Sequence, residues 1–205
     1  MQGPINPGTV DWSGENPGIY LKDREDGSWV ALSVFFRVAT SPHSRGTGLL
    51  VLAEPNKPAG YPEALNFCIT DNRKLMQYLV SNFVSKFASF RGSGALPKIT
   101  YHDAVSMETQ GDAKRFYEET MHAAGLQATL RWEELNPPFA VDVAPAVSAT
   151  GAHQMYSVFL EAKRGSILVN GKPTPGKVIQ RDFLGRKMSS AFLAFSETWI
   201  NPPTA

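Results

Sequence analysis

Three carboxylates interrupt the apolar side of segments that alternate like β-strands. In Lys98–Glu108 the odd positions read Ile99, Tyr101, Asp103, Val105 and Met107. In Met188–Ile200 they read Ala191, Leu193, Phe195, Glu197 and Trp199. Glu161 follows Met155 and Phe159 at the same period, although Tyr156, Val158, Leu160 and Ala162 make the opposite side equally apolar. A carboxylate taken out of water is costly unless paired or protonated, and its pKa rises. Two such groups in one cavity are the raw material of general acid–base catalysis. Asp103 and Glu197 are therefore the candidate catalytic residues. Plainer roles stand beside that one. Asp103 could mark a bulge or reach water at a strand end, and Glu197 could pair with a C-terminal base such as Arg181 in a purely structural bridge.

The same registers supply a lining for a small ligand. Trp29, Tyr101, Trp132, Tyr156, Phe195 and Trp199, with Phe35, are the aromatic candidates, and Arg181 is the candidate anchor for an anionic group. Pockets for small molecules combine such an apolar wall with a few placed polar groups.

Other chemistries lack their motifs. The four histidines, His43, His102, His122 and His153, show no metal-ligand spacing. Glu118 and His122 stand four apart, a spacing that a helix would turn to solvent. The loop Ser41-Pro-His-Ser-Arg-Gly-Thr-Gly48 has the composition of an anion cradle, but no P-loop pattern, dinucleotide fingerprint or nucleophile elbow occurs. No metal and no cofactor is expected.

Glycine and proline mark the elements that must position these residues. The chain of 205 residues holds 17 Gly and 15 Pro, and both are scarce in two stretches where helices can run. The first, Asp71–Phe90, carries Leu75, Leu79, Phe83 and Phe87 at four-residue spacing and precedes Gly92. The second, Asp112–Ala124, carries Ala113, Phe116, Tyr117, Met121 and Ala124, with Lys114–Glu118 and Arg115–Glu119 pairs outside. Everything else reads as about ten strands, among them Trp29–Ala39, Leu126–Glu134, Gln154–Lys163, Ser166–Val169, Lys177–Phe183 and Met188–Ile200. Joints are expected at Arg164-Gly165, Asn170-Gly171 and Leu184-Gly185.

The fold class that follows is α+β and mainly antiparallel. One domain over 1–205 would form a curved sheet or β-barrel of about ten strands, with two helices (71–90 and 112–124) packed on it. Residues 1–18 and 201–205, rich in Pro and Gly, would be irregular ends.

Composition excludes several classes. A net charge of +1 argues against a dedicated nucleic-acid binder. No apolar run reaches the length of a spanning helix, and residues 1–10 do not read as a secretory signal. Cys68 is the single cysteine, which forbids an internal disulfide and fits a reducing cytoplasm. Charge is uneven, with nets of +2, −5 and +4 over residues 1–100, 101–150 and 151–205, so an anion would be drawn to the C-terminal part.

The sequence thus leads to a protein that binds a small apolar or amphipathic ligand in a cavity of the sheet. Its alternative is a cofactor-free isomerase, cyclase or lyase using a buried carboxylate on a small hydrophobic substrate. Unpaired strands and the apolar first helix would also serve a homo-oligomer interface.

Overall fold

The computed structural model describes residues 7–53, 55 and 65–203. Met1–Asn6 and Thr204–Ala205, parts of the expected irregular ends, lie outside them. The described residues form fifteen strands: β1 (Thr9–Glu15), β2 (Gly18–Lys22), β3 (Trp29–Thr40), β4 (Gly46–Ala53), β5 (Asn66–Thr70), β6 (Thr100–Asp103), β7 (Ser106–Gly111), β8 (Phe116–Ala123), β9 (Leu126–Leu135), β10 (Phe139–Val143), β11 (Gln154–Val169), β12 (Lys172–Pro173), β13 (Gln180–Phe183), β14 (Arg186–Ser189) and β15 (Ala191–Asn201). Thirteen belong to one mixed sheet ordered β6-β5-β4-β3-β1-β15-β11-β9-β8-β7, with β2, β10 and β12 added beside that path. β13 and β14 form a separate hairpin. The β5–β6 pairing is parallel and the others are antiparallel.

The sheet curls. Its terminal strands β6 and β7 are consecutive in the chain. At their junction Ala104 N donates to Thr70 O at the end of β5 (2.9 Å), and Val105 N donates to His122 O of β8 (2.7 Å). One face is thereby turned inward and packs on itself: Ile19, Phe35, Val51, Phe67, Leu130, Trp132 and Leu193, from six strands, share one cluster and are fully buried. The other face carries Leu32, Val34, Phe36, Leu50, Phe192 and Trp199. β3, β4 and β15 therefore bury side chains on both of their faces.

One α-helix, α1 (Arg73–Asn82), is found among the described residues. The Asn72 side chain caps it by accepting from Leu75 N (3.1 Å). Leu75, Met76, Leu79 and Val80 pack on the outer face of the sheet. The expected helix over 71–90 stops at Asn82, because Ser81-Asn82-Phe83-Val84-Ser85 is a run of weak helix formers. A 3-10 turn at Val84–Lys86 follows, and Phe83, Val84 and Phe90 continue the same apolar layer without helical periodicity.

The expected helix over 112–124 is a turn and a strand. Asp112 Oδ1 accepts from Lys114 N (2.9 Å) and Arg115 N (2.8 Å). An Asx turn makes these bonds just as a helix N-cap does, so the residue type could not separate the two. Tyr117 and Met121 also share a face under either period. Neither Lys114–Glu118 nor Arg115–Glu119 forms as an ion pair; Arg115 pairs with Asp112 and Glu119 is buried.

Three further boundaries differ. Lys98–Glu108 is two strands, β6 and β7, that serve different neighbours. Arg164-Gly165 is no joint, since β11 runs unbroken and pairs with β15 through its first half and with β9 through its second. Within the expected irregular start, 1–18, residues 9–15 form the ordered strand β1 and Gly18 opens β2. Asn170-Gly171 and Leu184-Gly185 do turn, with positive φ at all four residues. No helix of the described residues is long and apolar enough to cross a membrane.

Candidate functional site

The register of β15 breaks inside the segment that carries Glu197. The pairing shifts between Tyr156↔Thr198 and Val158↔Phe195, and Ser196 sits at φ 53°. This bulge places two residues where the ladder has room for one. Ala191, Leu193 and Phe195 face the inner core, whereas Glu197 and Trp199 emerge on the outer face with Phe192 and Ala194. The alternation Phe195–Glu197–Trp199 expected from the sequence is thus corrected: the first of the three points away from the other two.

Glu197 is 3% exposed. Its Oε1 accepts from Trp199 Nε1 (2.7 Å) and from Asn16 Nδ2 (3.2 Å). Asn16 stands at the break between β1 and β2, where its own backbone N donates to Ala194 O. Burial pushes the Glu197 carboxyl up from 4.5 to about 7, against the two hydrogen bonds, which pull it down. Trp199 is held between Trp12 (6.3 Å) and Phe87 (6.1 Å) in stacked geometry, with Phe83 edge-on at 5.2 Å. His153 flanks the same ring; its Nε2 lies 3.0 Å from Asp11 Oδ2 and its Nδ1 3.0 Å from Thr150 Oγ1.

A cleft of about 300 Å³ opens over Glu197 and Trp199. Tyr20 of β2, Met155 and Phe159 of β11 and Phe192 form its floor. One wall is Lys86–Arg91, the chain that follows α1; a second is Val147–Ala149; the third is the β13–β14 hairpin with Arg181, Phe183 and Leu184. Arg181 reaches the cleft through a cage of rings, its guanidinium carbon lying 5.4 Å from Tyr20, 5.2 Å from Phe183 and 5.3 Å from Phe192. Burial lowers its pKa, and Tyr20 and Glu161 act in the opposite direction. The Tyr20 hydroxyl is pushed well above its ordinary value by burial, with Arg181 pulling it down and Glu197 pushing it up.

Of the residues picked from the sequence, Glu197, Arg181 and Trp199 line this cleft. The rest do not. Asp103 ends β6 with its side chain 87% exposed, 3.1 Å from Arg73, so it is not a buried carboxylate. Tyr101 is half-buried behind it, its hydroxyl pushed up to about 12 by burial. Trp132 is fully buried in the inner core, with Nε1 donating to Gly18 O (3.0 Å). Phe195 lies against Tyr117 on that inner side. Trp29 packs edge-on to Tyr20 beneath Lys22. Tyr156 is half-buried on β11, opposite Thr198. Glu161 stands behind the hairpin, accepting from Ser189 N (2.8 Å) and facing Arg186 (3.5 Å).

Sequence reasoning missed Tyr20, Asn16, Phe87, Phe183 and Phe192. The signal for the first was Gly18-Ile-Tyr-Leu, an apolar run directly after Pro17. It also missed a buried ion cluster. Glu119 is 0% exposed and accepts from Arg37 (2.8 Å) and Thr109 (2.8 Å), while Arg37 also binds Glu15. The loop 41–48 is tied to the start of α1, since His43 O and Arg45 O accept from Asn72 and Thr47 donates to Asp71.

No family model and no curated protein matches the chain.

Proposed function

We propose that this protein binds a small amphipathic ligand in the cleft over Trp199. The observation that carries the reading is the meeting of Glu197, Arg181 and Tyr20 with a wall of aromatic rings in one concave site. Its volume of about 300 Å³ stands at the small end of ligand pockets. The curled sheet, barrel-like in outline, serves as scaffold, and its interior is taken up by core side chains such as Trp132 and Phe35. The ligand therefore belongs on the outer face, between the sheet and the segments that cover it. The lone buried Cys68 suits a reducing compartment such as the cytoplasm.

Titration with a panel of small aromatic and alicyclic compounds tests this. A true ligand quenches the stacked Trp199 saturably. At a hundredfold excess over Kd it stabilises the fold by about 2.7 kcal/mol, read as a higher melting temperature. Phe87→Ala is expected to remove the response with the fold retained. A broad panel that shifts no melting temperature would sink the reading.

One observation favours a second reading. A carboxyl poised at about 7 suits a general acid or base at neutral pH, so Glu197 could move a proton on a bound substrate. An NMR titration that finds Glu197 near 4.5 removes the support for it.

A further inference from the structure

We infer that the ligand carries a carboxylate at one end, seated on Arg181, and an apolar body that lies on Trp199 and Phe87. This rests on the cleft being a ligand site.

Arg181 is the starting point. Among the described residues no acidic side chain lies within 4 Å of its guanidinium, and its buried Nε has no acceptor. The acids that could serve it are committed elsewhere. Glu161 holds Ser189 N and faces Arg186, and Asp182 pairs with Lys187 at 3.0 Å. A cation withdrawn from water without a counter-charge is costly, so an arrangement that leaves it open favours an incoming anion.

The surroundings agree in sign. Lys86, Arg91 and Arg181 line the cleft, against Asp182 and Glu197. The Asp182 charge is answered by Lys187, and burial favours the neutral form of Glu197. The site is electropositive at the end where Arg181 sits.

Geometry selects the kind of anion. Rings at 5.2–5.4 Å hold the guanidinium, so its planar fork is fixed before a ligand arrives. A fixed fork matches the two oxygens of a carboxylate. Lysine would offer only a point charge. The Phe87 ring, stacked on Trp199 beyond it, offers an apolar surface, and Trp199 meets the cleft at its edge.

The test uses 1-naphthoate and 1-naphthamide, which share their rings and differ in charge. Both are titrated by calorimetry into the full chain, into Arg181→Met and into Arg181→Lys. The wild type is expected to prefer the carboxylate by roughly ten- to a hundredfold. Arg181→Met erases the preference while the amide still binds, and Arg181→Lys keeps a reduced one that fades with salt. Equal binding of both compounds to the wild type overturns the inference and leaves the cleft reading in place. So does a preference that survives Arg181→Met. If neither compound binds the wild type, the cleft reading falls and the inference with it. Should Arg181→Met fail to fold, the wild-type comparison and Arg181→Lys decide.

Discussion

Replacing Glu197 with glutamine should make the protein more stable at neutral and alkaline pH and change little in mild acid. The folded carboxyl is raised from 4.5 to about 7 by burial. Folded chains therefore hold the proton more tightly than unfolded ones between those values. Stability then falls as pH rises through that window, because the unfolded state has already released a proton that the folded state keeps. Integrated with about 1.36 kcal/mol per pKa unit, the loss is about 1 kcal/mol at about pH 5 and about 3 kcal/mol at about pH 8. Glu197→Gln cannot ionise, yet its amide oxygen can still accept from Trp199 and Asn16 at the place of Oε1. The variant should thus gain about 2 to 3 kcal/mol on the wild type between those two pH values. Urea unfolding of both proteins at each pH, followed by tryptophan fluorescence, gives the difference from the midpoints at unchanged m. All other titrating groups cancel in the comparison. Parallel pH–stability curves would refute the reasoning, since they would mean that Glu197 titrates alike folded and unfolded. A wild type that gains on the variant toward alkaline pH would reverse the sign and place a cation beside the carboxylate.

Other expectations concern the scaffold. Arg37→Ala strands the fully buried Glu119, so urea unfolding should show a loss of about 3 kcal/mol, partly recovered by adding Glu119→Gln. Gly165→Val should cost about 1–3 kcal/mol by overpacking the inner core, where a Cβ would already stand 2.8 Å from that of Ala191; a neutral result in thermal melts would contradict the close approach. Asp103→Ala removes an exposed pair with Arg73 and should change stability by less than about 0.5 kcal/mol and ligand affinity not at all. A loss of binding in that variant would return Asp103 to the site.

The strands were legible where alternation ran clean. Trp29–Thr40 and Leu126–Leu135 match their expected limits within a residue, because nothing interrupts their period. The second helix was not legible. Tyr117 and Met121 share a face under period two and under period 3.6 alike, and the partner that decides, Arg37 on β3, lies 82 residues from Glu119 in sequence. Asp103 misled for a related reason. Alternation implies a shared face only while the strand stays with one neighbour, and the chain changes neighbours at Ala104. Arg181 and Trp199 were picked from the sequence by type, as an anion anchor and an aromatic lining residue, and both line the cleft. Their convergence depends on the loop after α1 and on a hairpin that, among the described residues, pairs with no other strand, and no local pattern encodes either.

The bulge at Ser196 explains why Glu197 is buried, as its place in the alternation suggested, but on the opposite face from Phe195. With continuous pairing, Glu197 would follow Phe195 into the inner core, beside Tyr117 and away from Asn16. A one-residue slip moves every later side chain to the other face. Here the slip takes Glu197 and Trp199 together to the outer face. A non-glycine residue in the left-handed region costs about 1–2 kcal/mol, and Ser196 bears that cost beside the strand's single, buried carboxylate. The inner face is occupied by core side chains such as Trp132, Phe35 and Leu193, so a carboxyl carried to the outer face avoids burial among them. The bulge carries it there, and it brings the carboxyl and the indole that donates to it into the same cleft. Strain at Ser196 and the direction of Glu197 are in this sense one feature: the first exists at the position where it can set the second.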